Sequence, residues 1–375
     1  MKTLPNPFVI SGYEGAKYFC DRKRETVQLK QEIANGNNVA LIATRRMGKS
    51  GLIKHYFSDE QISQSYYTFF VDIYDTRSLR EFVLKLSKEI LMRLKPFGLR
   101  AMRTFWDAVR SLQTGITFSP SGEPSFNVQI GELREGTSTL DEIFYYLEHA
   151  DKPCIVAIDE FQQITGYPET NFEATLRTYV QRSHNVRFVF SGSQRHTMSA
   201  MFNSAARPFF QSVSMMHLES IDMHEYDLFA KSLFAEGGRT LEDGVTEAVY
   251  ACSRGVTWYT QKLFNTLYAQ TPQGGICRRE DVEDALAYVL KTQEYSYEEL
   301  LFRLPEKQKL VFVALAKSGP VNKITSAAFL RKYGLPSAST VQSAVKGLLE
   351  KDFLTYEKGL YSVYDIFLEY WIKLN

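Results

Sequence analysis

The amino-acid sequence predicts an α/β fold, in which a parallel sheet carries helices on both faces and is followed by a helical lid and a C-terminal winged helix. Two observations predict this order. Through residue 218, short apolar runs alternate with segments of helical periodicity, a pattern typical of βαβ units. Residues 298–375 then show three helical segments followed by two short strand-like runs, the order of a winged helix.

The predicted sheet starts at an apolar run, residues 39–42, which follows a predicted helix and an Asn-Gly-Asn-Asn turn. Further apolar runs predict strands at residues 66–73, 154–158 and 186–190. Unbroken runs of this length are expected of strands buried on both faces of a parallel sheet. Helices predicted over residues 79–94 and 140–150 connect them. Right-handed crossovers place the carboxyl ends of such strands at one edge, where ligands bind.

This order divides the chain into three predicted domains, residues 1–218, 219–297 and 298–375. The first contains the sheet and an insertion at about 97–139. Within that insertion, residues 115–136 hold Ser-Pro-Ser-Gly-Glu-Pro and four glycines, which we interpret as a surface excursion that forms a hairpin. The second domain is predicted to be a lid of helices without strands, because no strand-like run separates its helical segments.

The composition of the chain indicates where the protein is located more clearly than what it does. The chain has 44 Lys and Arg against 43 Asp and Glu, so only a local basic face could indicate nucleic acid. Its four cysteines, Cys20, Cys154, Cys252 and Cys277, form no CxxC pair, which favours a reducing compartment. No run approaches the ~20 apolar residues of a membrane helix, and the first residues do not resemble a signal peptide. We therefore expect a cytoplasmic protein.

Residues 43–50 read Ala-Thr-Arg-Arg-Met-Gly-Lys-Ser between a predicted strand and a predicted helix. A loop that holds a triphosphate needs inward amides, a lysine for the β- and γ-oxygens and a hydroxyl for Mg²⁺. Gly48 permits close backbone approach, Lys49 supplies the charge and Ser50 supplies the hydroxyl. Ala43 stands where this motif has its first glycine. The motif predicts ATP and Mg²⁺ as ligands, and its alternative is a chance Gly-Lys-Ser turn. We expect Lys49 to face solvent in the empty loop.

Two further strands end in polar residues. Asp159 and Glu160 follow the strand at 154–158; an aspartate there can hold Mg²⁺ through water, and a glutamate can orient or deprotonate the attacking water. The strand at 186–190 ends in Ser-Gly-Ser-Gln-Arg, where Ser191, Ser193 or Gln194 could hold the attacking water or the γ-phosphate. A strand that simply ends at solvent, and a plain Ser-Gly turn, are the structural alternatives.

Together these residues resemble the archaeal ATPase domain family of AAA+/STAND P-loop ATPases. The resemblance begins at Asn6-Pro7-Phe8, includes the segment around Phe19 and Arg22, and ends at Tyr361-Ser362-Val363-Tyr364-Asp365. It implies a P-loop NTPase sheet, ATP hydrolysis, and a position near the adenine for Phe19 and Arg22. The predicted nucleotide-binding residues are Phe19, Arg22, Ala43, Thr44, Arg45, Arg46, Met47, Gly48, Lys49, Ser50 and Gly51.

The chain departs from the family pattern at two places besides Ala43. The family's arginine finger is not at its usual position, and Arg207, ahead of Pro208, is its nearest substitute. The lid motif Gly-x-Pro is replaced by Gly255-Val256-Thr257. These departures bear on activation between subunits and on nucleotide sensing by the lid, and they leave the ATP-binding loop intact.

The favoured functional interpretation is an ATP-driven switch that hydrolyses ATP and moves the winged helix, which binds DNA or a protein partner. Alternatives are an ATP-binding scaffold with little turnover and, with a poorer fit, a small-molecule phosphotransferase. A nucleotide-dependent homo-oligomer would let Arg207 act in trans. For duplex DNA, residues 339–349 would enter the major groove and Lys346 and Lys358 would meet phosphates. The single lysine on the predicted recognition helix is a thin basis for this, and fold alone does not decide it.

Overall fold

The structure is a computed structural model that describes residues 4–94, 114–118, 124–129, 136–357 and 359–375. The chain forms two compact units. One is Ser11–Ile221, and the other is Asp222–Asn375 together with the N-terminal residues up to Ile10. The predicted division into three domains is finer than these two units and stays a prediction.

The unit Ser11–Ile221 is built on a five-stranded sheet in the order β2-β5-β6-β1-β7. All neighbouring strands in this sheet are parallel, so the predicted parallel α/β fold is confirmed. The strands in the unit are β1 (Val39–Ile42), β2 (Tyr67–Asp72), β3 (Thr114–Phe118), β4 (Pro124–Gln129), β5 (Cys154–Asp159), β6 (Val186–Gly192) and β7 (Ser214–His217).

Strand β7 was not predicted, because its Ser-Met-Met-His sequence is short and only partly apolar. It pairs with β1 along one edge of the sheet. Strands β3 and β4 pair antiparallel, as a hairpin inside the predicted insertion. Most of that insertion lies outside the described residues.

Helices flank the sheet, and their bounds are α1 (Lys23–Ala34), α2 (Lys49–Ser58), α3 (Glu60–Ser65), α4 (Leu79–Arg93), α5 (Gly136–Glu148), α6 (Phe172–Arg182) and α7 (Arg195–Asn203). The central strands β1 and β5 are buried along their whole length. Ile42 of β1 lies beside Gly192 of β6, and Asp72 of β2 lies beside Asp159 of β5. The carboxyl ends of four strands are therefore level at one edge, which is where the parallel topology puts a ligand site.

The second unit contains α8 (Met223–Glu236), α9 (Val245–Ser253), α10 (Thr257–Gln270) and α11 (Asp281–Phe302), with β8 (Thr240–Leu241) and β9 (Ile276–Cys277). The expectation of no strand in this stretch is wrong, because β8 and β9 pair in parallel. Each of these strands has only two residues, which is too short to show a strand periodicity in the sequence. Phe8 packs in this unit, with its ring stacked 5.3 Å from that of Phe264.

The C-terminal part of this unit has the order helix, helix, helix, strand, strand, as predicted. Its elements are α12 (Glu306–Ser318), α13 (Ala327–Lys332), α14 (Ala338–Glu350), β10 (Leu354–Glu357), β11 (Leu360–Val363) and α15 (Ile366–Leu374). Strands β10 and β11 form an antiparallel wing, and a bridge between Val321 and Tyr361 extends it. Within the described parts of the chain, no helix has the length and apolar character needed to cross a bilayer.

Candidate nucleotide site

The loop of residues 43–50 joins the buried strand β1 to helix α2. Arg46 and Gly48 both have positive φ, 68° and 91°, and glycine adopts this conformation at little cost. Helix α2 begins at Lys49, and no acidic residue lies in its first turn. Unpaired N–H groups at a helix start form a site for an anion. The sequence of this loop therefore produces a local structure that suits a phosphate.

Lys49 does not face solvent, and that expectation is wrong. Its side chain is buried, and its ammonium donates to the carbonyl oxygens of Ala43 (3.0 Å) and Thr44 (3.3 Å). The loop thus curls around the lysine, and two of its carbonyl oxygens accept from the ammonium. Burial lowers the pKa of Lys49, and the nearby Glu160 and Asp159 oppose this shift. The carbonyl oxygens are neutral, so they stabilise the buried ammonium only in part. A bound phosphate would supply a full negative charge beside it.

Ser50 and Asp159 are 109 positions apart in the sequence, and the structure brings them into contact. The Ser50 hydroxyl donates to Asp159 Oδ2 at 2.5 Å, and Asp159 is buried at the end of β5. Neighbouring Asp72, at the end of β2, has its pKa raised by burial and by the charge of Asp159. The two predicted metal residues thus lie together beside the phosphate loop.

Glu160 lies immediately beyond β5 with a positive φ of 56°. Its Oε2 accepts two hydrogen bonds, one from the Ser193 hydroxyl (2.6 Å) and one from Gln162 Nε2 (2.5 Å). Among the described residues, no hydrogen bond reaches its Oε1. The carboxylate is therefore held at one oxygen and open at the other, which suits a group that accepts a hydrogen bond from water.

Gln162 belongs to this network, and it was not predicted. It lies in the 3-10 turn Phe161–Gly166, is buried, and has an Oε1 without a hydrogen-bond partner in the described part of the chain. Phe161 anchors the turn through ring contacts with Phe190 and Phe209 at 4.4 and 5.5 Å. Gln162 lies in the turn beyond β5 rather than at the strand end, and its only signal in the sequence is a polar residue two positions after the candidate base.

The three candidates after β6 have different surroundings. Only Ser193 contacts Glu160. Ser191 is fully buried, and its hydroxyl has no partner among the described residues. Gln194 is exposed, and its Oε1 accepts from the hydroxyl of Thr197 at 3.1 Å. The structure thus brings one of the three predicted residues to Glu160.

Arg22 is buried and ties the loop to its surroundings. It donates to the carbonyl oxygens of Met47 (3.0 Å) and Glu219 (2.8 Å), and it pairs with Glu25 at 2.7 Å. The guanidinium thus joins the phosphate loop to the segment that follows β7. This position makes Arg22 a support of the loop conformation, with its donors committed to protein oxygens.

Phe19 lies against the first turn of α2. Its ring stacks on His55 with the ring centres 4.5 Å apart. A Cβ added to Gly51 would lie 3.3 Å from the Phe19 ring, so a glycine at position 51 lets the ring approach. Arg45 extends over the ring of Tyr74, 5.3 Å from its centre.

Arg207 is engaged by a residue of its own unit. Its Nη2 lies 2.5 Å from Glu173 Oε2, on helix α6. Burial raises the pKa of Glu173, and Arg207 opposes the shift. No contact joins Arg207 to the phosphate loop within the described residues, and a role in trans stays a prediction.

Comparisons with known proteins address the fold. A family model described as a probable winged helix domain matches residues 295–374, which confirms the predicted winged helix. A search of curated proteins finds no match.

Solved structures share the architecture over nearly the whole chain. The Walker-type ATPase PABY2304 of Pyrococcus abyssi is 16% identical with a TM-score of 0.63, covering 98% of this chain and 99% of that one. The ORC2 protein of Aeropyrum pernix, described as ADPNP-ADP complexes, is 12% identical with a TM-score of 0.55 and 94% coverage of each chain. The ORC1 protein of Aeropyrum pernix in complex with DNA is 12% identical with a TM-score of 0.52, covering 95% and 93%. The predicted resemblance to archaeal P-loop ATPases is confirmed at the level of the fold.

Proposed function

We propose that this chain binds ATP with Mg²⁺ at residues 43–50 and hydrolyses it, as a switch of the AAA+/STAND type. The observation that carries the proposal is the contact between Ser50 and Asp159 at 2.5 Å, with the Lys49 ammonium beside the same loop. A lysine, a hydroxyl and a carboxylate at the start of one helix are the groups that a magnesium triphosphate requires.

The donor set suits Mg²⁺ rather than a transition metal. Ser50 and Asp159 present oxygen, and no group of three His, Cys, Asp or Glu side chains that could hold a metal occurs in the described ranges. Mg²⁺ usually takes one or two protein oxygens and completes its shell with phosphates and water. When bound, it would neutralise charge on the phosphates; Ser50 and Asp159 would hold it.

Glu160 is the group that we assign to the attacking water. Ser193 and Gln162 hold its Oε2, which leaves Oε1 to accept the hydrogen bond of a water molecule. A carboxylate in this position orients the water and takes its proton as the bond to phosphorus forms.

ATP binding is tested with Lys49→Ala and a matched lysine on the same helix. Lys49→Ala should lose measurable ATP binding in isothermal titration, because it removes the cation of the phosphate loop. Lys54→Ala should bind ATP like the parent, because Lys54 lies over the Phe70 ring at 5.0 Å. A thermal unfolding curve without nucleotide shows whether each variant is folded. Parental ATP affinity in folded Lys49→Ala would refute the nucleotide site.

Hydrolysis is tested separately from binding. Glu160→Gln should bind ATP and lose turnover by about 10²-fold or more, because the amide cannot accept the proton. Asp159→Asn should weaken the Mg²⁺-dependent part of ATP binding instead. If the parent protein binds ATP and releases no phosphate, the chain is the ATP-binding scaffold that the sequence also allowed.

A second function, DNA binding by the winged helix, is favoured by the outward face of α14. Ser339, Gln342, Ser343 and Lys346 are all exposed on this helix. Hydroxyl and amide groups can contact base edges, and a lysine can contact phosphate. Glu350, 4.0 Å from Lys346, reduces the positive charge of this face, and Lys358 of the predicted wing tip lies outside the described residues. A protein partner is the competing possibility.

Fluorescence anisotropy on duplex DNA across a salt series, with ATP and with ADP, decides between these partners. If DNA binds through this face, Lys346→Gln should flatten the slope of log affinity against log salt by about one unit. Lys317→Gln, on helix α12, serves as the matched control. Undetectable binding at low salt in both nucleotide states would assign the winged helix to a protein partner.

A further inference from the structure

Arg45, the third residue of the phosphate loop, reaches a residue on the far side of the sheet edge. Its guanidinium carbon lies 5.3 Å from the centre of the Tyr74 ring, and Tyr74 is in the turn that follows β2. In the sheet order β2-β5-β6-β1, the strands that precede these two residues are separated by β5 and β6. The contact therefore crosses the carboxyl ends of β6 and β5, where the candidate nucleotide site lies.

The backbone of Arg45 begins beside the Lys49 ammonium. That ammonium donates to the carbonyl oxygen of Thr44 at 3.3 Å, and the next atom of the backbone is the Arg45 nitrogen. Burial lowers the pKa of Lys49, and the positive charges of Arg45 and Arg195 add to this shift. The guanidinium is thus close enough to Lys49 for the two cations to repel each other. A bound polyanion would relieve this repulsion.

The turn that carries Tyr74 is attached to the acidic side of the site. Asp72 lies beside Asp159 in the sheet, and Ile73 donates its amide to the Asp159 carbonyl oxygen at 3.2 Å. The Tyr74 amide then donates to Asp72 Oδ1 at 2.9 Å. Because Glu160 follows Asp159 directly, the Tyr74 ring and the candidate base are held by the same strand end.

Contact with a ring face does not use the hydrogen-bond donors of an arginine. The attraction comes from the quadrupole of the ring, whereas a phosphate is bound through the N–H groups of the guanidinium. An aromatic ring can therefore hold an arginine in place while the arginine binds a phosphate. Tyr74 is 53% exposed, so its ring lies at the rim of the site and not in the core.

The predicted arginine finger is engaged elsewhere. Arg207 pairs with Glu173 on helix α6 at 2.5 Å. An arginine at the γ-phosphate of a nucleotide can come from the same chain or from a partner. Because Arg45 belongs to the phosphate loop itself, it can reach this phosphate without a second subunit.

We propose that Arg45 binds the γ-phosphate of ATP within its own chain, and that the Tyr74 ring positions Arg45 for this contact. Lys49 and Arg45 would then share the charge of the terminal phosphate. The role of Arg45 rests on the proposed function, because it requires ATP in the loop of residues 43–50. It also assigns the group that distinguishes ATP from ADP, since ADP lacks the phosphate that Arg45 contacts.

Isothermal titration with ATP and with ADP, both with Mg²⁺, tests this role in a Glu160→Gln background, in which ATP should stay intact. Adding Arg45→Gln should weaken ATP binding by about tenfold to a hundredfold, because a charge-assisted contact is lost, and leave ADP binding unchanged. Arg77→Gln removes an exposed arginine three positions after Tyr74 and should bind both nucleotides like the background. Thermal unfolding without nucleotide shows whether each variant is folded.

Two substitutions in the same background test the Tyr74 ring. Tyr74→Leu removes the ring and should weaken ATP binding by about two- to fivefold, the value of an exposed cation–π contact, with ADP binding unchanged. Tyr74→Phe keeps the ring and should bind ATP like the background. A Tyr74→Phe variant as weak as Tyr74→Leu would show that the ring does not position Arg45.

The outcomes for Arg45 separate this role from the proposed function. Equal weakening of ATP and ADP binding in folded Arg45→Gln would mean that Arg45 shapes the loop, and this would overturn the proposal. Parental ATP affinity in that variant would overturn it as well, while ATP binding by the background would leave the proposed function standing. If the background binds neither nucleotide, the proposed function fails and the role of Arg45 fails with it.

Discussion

At the scale of single residues, the carboxylate of Glu160 depends on side chains from two other positions. Ser193 comes from the end of β6 and Gln162 from the turn after β5, and both donate to the same oxygen. Two donors on one oxygen fix the carboxylate plane. The orientation of the Glu160 carboxylate thus depends on its hydrogen bonds from Ser193 and Gln162.

Gln162→Leu should lower kcat for ATP by about tenfold to a hundredfold and leave ATP affinity unchanged. The leucine keeps the side-chain volume but cannot donate to Glu160, the proposed general base. In a Glu160→Gln background the same change should cost nothing further, because residues that act as a unit are not additive. Steady-state kinetics and isothermal titration provide both measurements.

The matched control for this prediction is the next residue. The Gln163 side chain donates to the Tyr74 carbonyl oxygen at 2.7 Å, and its hydrogen bond to Glu160 runs from its backbone amide to the backbone carbonyl oxygen at 2.9 Å, which a side-chain substitution keeps. Gln163→Leu should therefore keep the parental kcat. Equal losses in the two variants, or a Gln162→Leu variant with parental kcat, would mean that Gln162 does not position the base.

At the scale of elements, the end of strand β6 packs closely against the turn after β5. A Cβ on Gly192 would lie 2.6 Å from Gln162 Oε1 and would also overlap Met198. Only glycine lets β6, helix α7 and the turn Phe161–Gly166 approach one another this closely. The backbone at this point thus determines where Gln162, and through it Glu160, can lie.

Gly192→Ala should lower the free energy of unfolding by about 1–3 kcal/mol, the usual cost of overpacking, and reduce turnover as well. Urea denaturation and phosphate release measure the two effects. Gly166→Ala is the control, since a Cβ there meets nothing within 4 Å. A Gly192→Ala variant as stable and active as Gly166→Ala would show that the site tolerates the methyl group.

At the scale of the whole molecule, the C-terminal helix is fixed by a buried charge. Glu369 of α15 is 1% exposed, and its Oε1 pairs with Arg254 at 2.7 Å and with Lys373 at 2.5 Å. Beside this ion pair, the Tyr259 hydroxyl accepts from the Ile366 amide at 3.2 Å. These contacts join α15 to Arg254 in the turn between α9 and α10 and to Tyr259 in α10.

Arg254→Gln should lower the free energy of unfolding of this unit by about 2–4 kcal/mol, because Glu369 stays buried with one cation fewer. Adding Glu369→Leu should recover most of the loss. Lys231→Gln, which breaks a partly exposed ion pair with Asp227 and Asp243, should cost at most about 1 kcal/mol.

Tryptophan fluorescence can follow this unit, since Trp258 and Trp371 lie in it. A Trp106→Phe background would leave these as the only tryptophans of the chain. If Arg254→Gln and Lys231→Gln lower the free energy of unfolding equally, the buried Glu369 carboxylate does not depend on Arg254 for its charge balance.

The amino-acid sequence by itself determined the type and order of the main elements and the chemistry of the phosphate loop. Both depend on local patterns: apolar runs predict buried strands, and Gly48, Lys49 and Ser50 are adjacent in the chain. The winged helix was predictable for the same reason.

Only the tertiary structure decided which distant side chains meet. In the fold, Ser50 donates to Asp159, and both Ser193 and Gln162 donate to Glu160. Lys49 is buried against its own loop, and Arg207 forms an ion pair with Glu173. These contacts depend on the register of parallel strands and on the packing of turns above them. A parallel sheet brings together residues that are far apart in the chain, and no local pattern in the sequence encodes which of them will touch.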